Sequence, residues 1–394
     1  MIEKRVAQIK EELIAVRRYL HQYPETDFEE VKTSAYIKEQ LKKIGIEPKG
    51  MAKTGVVGII TGEKPCESSP KTILIRADMD GLPILEDNAL SFRSKRKGYM
   101  HACGHDVHTA CLIGAARVLY ELRGEFSGNV KLVFQPAEEG DGGALPMIEE
   151  GVLEHPHVDC AIALHVEPLA PVGTIQVKYG PIMASPDNFE VTVHGKGGHG
   201  AYPHECVDPI VTASMIINAY QTIVSRHFDP MTPAAVSVCS IQAGTCFNVI
   251  PNEAHFIGTA RTIDHESRQK MQKLLGQIAT NIAESMEAEC DYQFLPLYPP
   301  LLNEKTMTDQ VASAAQKLNC VDKIEWLEHP SMAGDDFSYF AERVPATYFK
   351  LGCGNDTICE PIHSSGFLVD EAAIPIGSAV LAQTVLDWFE QSKG

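Results

Sequence analysis

Residues 72–83 read TILIRADMDGLP. The run Thr72–Ile75 is apolar and rich in β-branched residues, and it leads into two aspartates and a Gly-Leu-Pro turn. Val56–Ile60, Val130–Phe134 and Ala161–Leu164 have the same character, each with turn or polar chemistry at its end. Ahead of Val130, the stretch Thr109–Leu122 reads as a helix that offers Ala110, Ile113, Ala116 and Val118 to a sheet face. Strands that alternate with helices predict an α/β fold, with a mixed, mostly parallel sheet flanked by helices.

Towards the N-terminus, residues 4–21 place Val6, Ile9, Leu13, Val16 and Leu20 on one helical stripe. Residues 32–44 repeat the pattern through Tyr36, Ile37 and Leu41, and Gly45 is the expected stop. Around Ile182–Pro186 the character changes. Phe189–Val193 alternates as a strand does. Asp208–Ser225 is helical, Ala235–Ile241 and His255–Arg261 are strand-like, and Glu266–Met286 is helical again. That order predicts a small α+β insert with a one-sided sheet. After Pro299–Pro300 come a helix, a Gly-rich loop and a closing helix at Ala372–Trp388. The chain therefore reads as a larger domain, 1–183 and 297–394, interrupted by a smaller one, 184–296.

The whole chain has 394 residues, 44% hydrophobic and 22% charged, which suits two or three globular domains and excludes disorder or a coiled coil. Lys plus Arg is 34 and Asp plus Glu is 52, so the net charge is −18. Such a surface repels phosphate backbones and anionic lipid, so neither nucleic acid nor a membrane is an expected partner. Eleven cysteines in a chain of this length do not make a disulfide scaffold. The first twenty residues are charged throughout and carry no signal-peptide core, and no apolar run reaches membrane-spanning length. The expected compartment is a reducing cytoplasm.

Three of the apolar runs end in residues that bind metals. The first leads to Asp78 and Asp80, the second to Glu138 and Glu139 in FQPAEEG, and the third to His165 in ALHVEP. Ligands of open α/β sheets bind beyond the carboxyl ends of the strands, so parallel neighbours would aim these groups at one place. A fourth segment, MHACGHDVHTA (100–110), offers His101, Cys103, His105, Asp106 and His108. An extended chain would put Cys103 and His105 on one side, with Gly104 permitting a tight turn. Thiolate and imidazole suit zinc and similar ions, and carboxylates also suit manganese. PIHSSGF supplies His363. Singly, each has an ordinary reading. Glu138–Glu139 would be surface charge, Cys103 a small buried residue and His363 a solvent-facing loop residue. His108, three after His105, could share a helical face with it as a ligand, and a role in helix packing or ligand support fits equally well. His101 and His21 read as ligand supports or structural residues, and Cys353 and Cys359 as free thiols. The concurrence of the set at strand ends and Gly-rich turns argues for a metal site.

The segments RRYLHQYPE (17–25), RADMDGLP (76–83), MHACGHDVHTA (100–110), FQPAEEG (134–140), LHVEP (164–168), GKGGHGAYPH (195–204), NVIP (248–251) and HSSGF (363–367) run in order through nearly the whole chain. Together they resemble the amidohydrolase branch of the dinuclear-metal aminoacylase and carboxypeptidase superfamily. That branch includes hippurate hydrolases, N-acetyl-amino-acid and N-acetyldiaminopimelate deacetylases, and auxin-conjugate hydrolases. The resemblance implies a zinc-exopeptidase-like catalytic domain, an inserted lid domain that dimerises, and two divalent ions. These would be Mn²⁺ or Zn²⁺, with Co²⁺ and Ni²⁺ as further candidates. It implies metal ligands at Cys103, His105, Glu139, His165 and His363, a general base at Glu138, and Asp80 as an orienter of ligands. His199 would help polarise the substrate carbonyl, and Asn248 and Arg261 would lie near the substrate carboxylate or the oxyanion. One departure is Asp335 in MAGDDFSYF, where relatives often carry Glu.

The chemistry agrees with these roles. Amide hydrolysis needs a nucleophile that neutral water lacks, and a divalent ion lowers the pKa of bound water from about 15.7 towards about 7. One carboxylate off the metal, Glu138, then takes the proton and returns it to the leaving amine. The expected substrate is an N-acetyl or N-aroyl amino acid, and the expected state is a homodimer. A dipeptidase or carboxypeptidase on the same scaffold is the alternative, followed by a non-catalytic metal-binding protein.

Overall fold

A computed structural model describes residues 1–65 and 69–391. The chain divides into two compact units. One comprises Met1–Gly180, Leu302–Glu328 and the residues from Tyr339 on, and the other comprises Pro181–Leu301 and His329–Ser338. The second therefore takes up a short segment, 329–338, that falls within the sequence range expected for the larger domain.

The first unit is built on an eight-stranded sheet. Its strands lie in the order Lys49–Met51, Gly55–Thr61, Asn129–Gln135, Thr72–Asp78, Cys160–Pro171, Ala346–Gly354, Thr174–Val177 and Lys323–Trp326. The central four are parallel neighbours, with Asp78 opposite Gln135, Arg76 opposite Ala163, and Lys350 opposite His165. Antiparallel pairs occur towards both edges, at Gly55–Thr61 against Asn129–Gln135 and at Ala346–Gly354 against Thr174–Val177. Every residue of Thr72–Asp78 is buried, which is why that strand reads as an unbroken apolar run rather than an alternation. Helices Ile2–Gln22, His105–Glu121 and Ala373–Gln391 pack on one another, and Leu13, Val107, Leu112, Leu119, Val380 and Val385 lie in the core. The mixed, mostly parallel α/β architecture is the one expected.

Two local expectations are corrected. Cys103 and His105 do not lie on an extended chain. Gly104, at φ +90°, turns the backbone through the left-handed region, and the helix begins at His105, ahead of the expected Thr109. The sequence also gave no sign of the strand Ala346–Gly354, although it lies inside the sheet and is almost wholly buried.

The second unit has a four-stranded antiparallel sheet in the order Ala234–Ala243, Glu253–Thr262, Ser185–His194 and Glu289–Leu295. Helices Pro209–His227 and His265–Ser285 bury Ile216, Tyr220, Met271 and Leu275 in a core with Phe189, Val191 and Phe256. Asp208 caps the first by accepting Ile210 and Val211 N–H, and Asp264 caps the second by accepting Ser267 N–H. The edge strand Glu289–Leu295 is an addition to the expected order. Its residues alternate between exposed and half-buried.

Candidate metal centre

The parallel strands deliver their ends to one place. Asp78 closes its strand, and Asp80 follows two residues later. Gln135 closes the next strand, and the chain then turns through Ala137 at φ +51° to present Glu138 and Glu139. This turn is held from outside. Ala137 N–H donates to Glu30 Oε1 at 3.1 Å, and the same buried carboxylate accepts Phe28 N–H at 3.1 Å and Thr54 Oγ1–H at 2.6 Å. Burial raises the Glu30 pKa above the usual carboxylate value despite the hydrogen bond from Thr54.

Asp80 binds both sides of the pocket. Its Oδ1 lies 3.0 Å from His105 Nδ1, and its Oδ2 accepts Glu139 N–H at 3.0 Å. His105 is thereby oriented with Nε2 inward, 3.9 Å from Glu138 Oε2 and 3.8 Å from Glu139 Oε1. Cys103 Sγ is 3.3 Å from His165 Nε2 and 3.3 Å from His363 Nε2. His165 Nδ1–H donates to Val166 O at 2.7 Å, which leaves Nε2 for the pocket. His363 has φ +63°, an unusual conformation for a residue with a side chain, and its N–H donates to Ala102 O at 2.8 Å.

Two ion-sized groups share the Cys103 sulfur, Cys103–His105–His165 and Cys103–Glu139–His363, and a further one joins His105, Glu138 and Glu139. Asp78, His105 and His108 also approach one another. They do not form an ion site, because His108 Nδ1–H donates to Asp78 Oδ1 at 2.5 Å and its Nε2 accepts Val166 N–H at 2.9 Å. Both nitrogens of His108 are engaged.

The pocket has the chemistry of a cation site. His105 Nε2 and Glu139 Oε1 are buried and make no hydrogen bond. Glu139 Oε1 lies 3.0 Å from His363 Nε2 but without hydrogen-bond geometry. Burial pushes the Cys103 thiol well above its usual range, and Glu139 and Glu138 add to the shift. Burial works to lower His105, but Asp78, Asp80 and Glu139 outweigh it and raise its pKa to about 10. Both groups hold protons where positive charge is wanted, and an ion bound there would displace them.

The sequence matches the family model for peptidase family M20/M25/M40 over residues 74–387. The chain belongs to this family. It is 41% identical to thermostable carboxypeptidase 1 of Saccharolobus solfataricus over 95% of this chain and 94% of that one. It is also 41% identical to N-acetyl-L-cysteine deacetylase of Bacillus subtilis, over 98% and 91% of the respective chains. Among solved structures, a Bacillus subtilis protein described as a dinuclear metal binding peptidase from the M20 family superposes with a TM-score of 0.85, at 36% identity, covering 98% of this chain and 99% of that one.

In this M20/M25/M40 member the remaining expected residues lie in the second unit. His199 is exposed in the short strand Gly198–His199, opposite Val249, and its Nδ1 accepts Ala201 N–H at 3.1 Å. Gly200 N–H donates to Asn248 O at 2.9 Å, so His199 and Asn248 lie at the same end of one antiparallel strand pair. Arg261 is half-buried in Glu253–Thr262, opposite Pro186 and Ala235. Asp335 accepts Phe337 N–H at 2.8 Å and so caps its own loop, for which the shorter side chain suffices.

Sequence reasoning singled out Asp106 and His21 but missed Arg76, Arg17 and Glu86, which support the cluster with them. Arg76, almost fully buried, holds Asp78 Oδ2 at 2.6 Å and Gln135 Oε1 at 2.9 Å. Asp106, next to His105, lies 2.8 Å from Arg17 Nε and 2.9 Å from His21 Nδ1, and His21 Nε2 reaches Glu86 at 3.2 Å. Burial and Arg17 oppose the charged form of His21, but the two carboxylates keep its pKa above the usual histidine value. His101, also buried, makes no hydrogen bond through either nitrogen. Burial lowers its pKa to about 3, so it stays neutral, in keeping with a structural role.

Proposed function

We propose that this chain hydrolyses the amide bond of N-acyl amino acids, releasing a carboxylate and a free amino acid. It is an amide carbon–nitrogen hydrolase of its family, and the finer reading concerns substrate and residue roles. The observation that carries it is the pair of donor groups sharing Cys103 Sγ, with Glu138, 7% exposed, at their margin.

Cys103, His105, Glu139, His165 and His363 would hold two divalent ions, Mn²⁺ or Zn²⁺, with Co²⁺ and Ni²⁺ as further candidates. When bound, the ions supply a water of lowered pKa and polarise the scissile carbonyl. Glu138 takes the proton of the attacking water on its carboxylate and delivers it to the leaving nitrogen. Asp80 keeps the proton on His105 Nδ1, so that Nε2 faces inward. The smaller unit is read as a lid that brings His199 to the substrate carbonyl, with Asn248 and Arg261 near the substrate carboxylate or the oxyanion.

A homodimer through the smaller unit suits its surface. The edge strand Ala234–Ala243 is largely uncovered, and Ile210, Val211, Met215, Ile241, Phe247 and Val249 are exposed. A cytoplasmic setting suits the ten cysteines that are free among the described residues. Among those residues no helix is long and apolar enough to cross a membrane.

A second reading, carboxypeptidase or dipeptidase, is favoured by the 41% identity to a carboxypeptidase, equal to that with a deacetylase. Both readings are tested by free-amine release from N-acetyl amino acids, N-benzoyl amino acids and dipeptides, with Mn²⁺ or Zn²⁺ supplied and a chelator control. Chelator-sensitive release mainly from N-acyl amino acids supports the proposal. Release from dipeptides alone replaces it with the second reading.

A further inference from the structure

The loop between Asp80 and Cys103 carries a feature that the chemistry above does not use. Residues 91–99 read SFRSKRKGY, which puts Arg93, Lys95, Arg96 and Lys97 together with no acid among them on a chain of net charge −18. Several cations elsewhere meet carboxylates, as in Arg123–Glu63 at 2.8 Å, Arg268–Asp187 at 2.6 Å and Lys350–Glu167 at 2.6 Å. In this loop the partners are mostly uncharged. Arg93 donates to the backbone carbonyl of Glu86. Lys95 Nζ donates to Tyr23 Oη at 3.1 Å and lies over that ring at 5.0 Å. Arg96 Nη1 donates to Pro24 O at 3.3 Å, and its guanidinium lies 3.9 Å from the Tyr99 ring centre. Lys97 is exposed. Of these four cations only Arg96 has a carboxylate of the described residues within ion-pair reach, Glu29 at 3.6 Å. The loop's own acids do little to cancel the charge. Glu86 is buried against His21 and accepts Ser94 N–H at 2.7 Å, and Asp87 is exposed on the opposite arm.

The loop is fastened to the ligand-bearing segments. Leu82 and Met100 close its base with backbone hydrogen bonds of 2.8 and 3.0 Å. Asp87 N–H donates to Ser365 O at 2.9 Å and Asn88 Nδ2–H to Phe367 O at 3.0 Å, which ties it to the loop of His363. Lys97 precedes Cys103 by six residues, so their backbones are at most about 20 Å apart. The Debye length is about 30 Å at 0.01 M salt and about 10 Å at 0.1 M, so at low salt the field of these cations covers the cluster.

We propose that Arg93, Lys95, Arg96 and Lys97 form a cationic collar that draws carboxylate-bearing substrates to the cluster against the repulsion of an acidic surface. The inference rests on the amidohydrolase reading, since an N-acyl amino acid keeps one free carboxylate. The sign of the salt effect decides it, because net charge alone would make salt help an anion approach, whereas the collar makes salt hinder it.

The test follows kcat/KM of the metal-loaded protein for N-acetyl-L-methionine and for its uncharged primary amide between 10 and 200 mM NaCl. The expected result is a fall of about threefold or more for the acid, carried by KM, and no change for the amide. A rise or a flat response for the acid overturns the collar. Lys97→Glu, at an exposed position, is expected to raise KM for the acid about threefold at 10 mM NaCl with kcat intact. An unchanged KM in that variant also overturns it. If no N-acyl amino acid is turned over, the activity reading fails separately. The collar is then judged by calorimetric binding of the same acid and amide, where salt-weakened binding of the acid alone supports it and any other pattern rejects it.

Discussion

His108 Nε2 accepts the backbone N–H of Val166 at 2.9 Å, one residue beyond His165. With its Nδ1–H on Asp78, His108 fixes the chain beside an expected ligand instead of binding an ion itself. His108→Ala is expected to keep two ions per chain and to lower stability by about 2–3 kcal/mol, because Asp78 loses a buried partner while Arg76 remains. Elemental analysis and thermal unfolding measure both. Loss of one ion from a folded variant would return His108 to the ligand set.

Glu138→Gln should separate proton transfer from metal binding. The variant is expected to keep its ions and to lose about 10²–10⁴-fold in kcat. Near-normal turnover would remove Glu138 from the role of base, and loss of metal would make it a ligand.

Metal loading should depend on pH with a definite sign. In the metal-free chain His105 is raised to about 10 and the Cys103 thiol is raised by burial, so both are protonated at neutral pH. Each must release its proton to bind, so affinity rises with pH, by up to about tenfold per pH unit for each proton released. Calorimetry in buffers of different ionisation enthalpy counts the protons. A flat affinity between pH 6 and 8 would exclude deprotonation of these two groups on binding.

Gly104→Ala should damage the centre without touching a ligand. A Cβ on Gly104 would lie 2.3 Å from Val166 Cγ2, and the residue sits at φ +90°. The strain alone costs about 1–2 kcal/mol, and the clash pushes the Cys103–His105 turn away from the strand that carries His165. Reduced ion content is expected, together with a lower unfolding temperature. A variant with full loading and unchanged stability would show that the turn tolerates the shift.

The convergence of the pocket's side chains was largely legible in the sequence because most of them follow buried parallel strands. Such strands read as apolar runs, and their last residues must converge. The start of the helix at His105 was not legible. Its first turn, His-Asp-Val-His, is polar, and this first turn is buried because every polar group there has a partner elsewhere or supports the pocket. Glu30 and Arg17 were invisible for a related reason. Their partners, Ala137 and Asp106, are remote along the chain, so no spacing announces them. The strand Ala346–Gly354 was hidden by its glycines and by Lys350, whose charge is met by Glu167 at 2.6 Å. Glu289–Leu295 was hidden by its charged, uncovered edge position.

The place of Ala346–Gly354 has a consequence for biosynthesis. Ala346 pairs with Ala161, so the two partners are separated along the chain by the whole second unit. A nascent chain leaving the ribosome carries Cys160–Pro171 with one edge unpaired until this late strand emerges. The second unit, whose main segment ends at Leu301, can collapse first, while its host waits for completion. A stop codon between residues 172 and 346 leaves a buried-type strand with a bare apolar edge, the kind of species that chaperones hold and proteases remove.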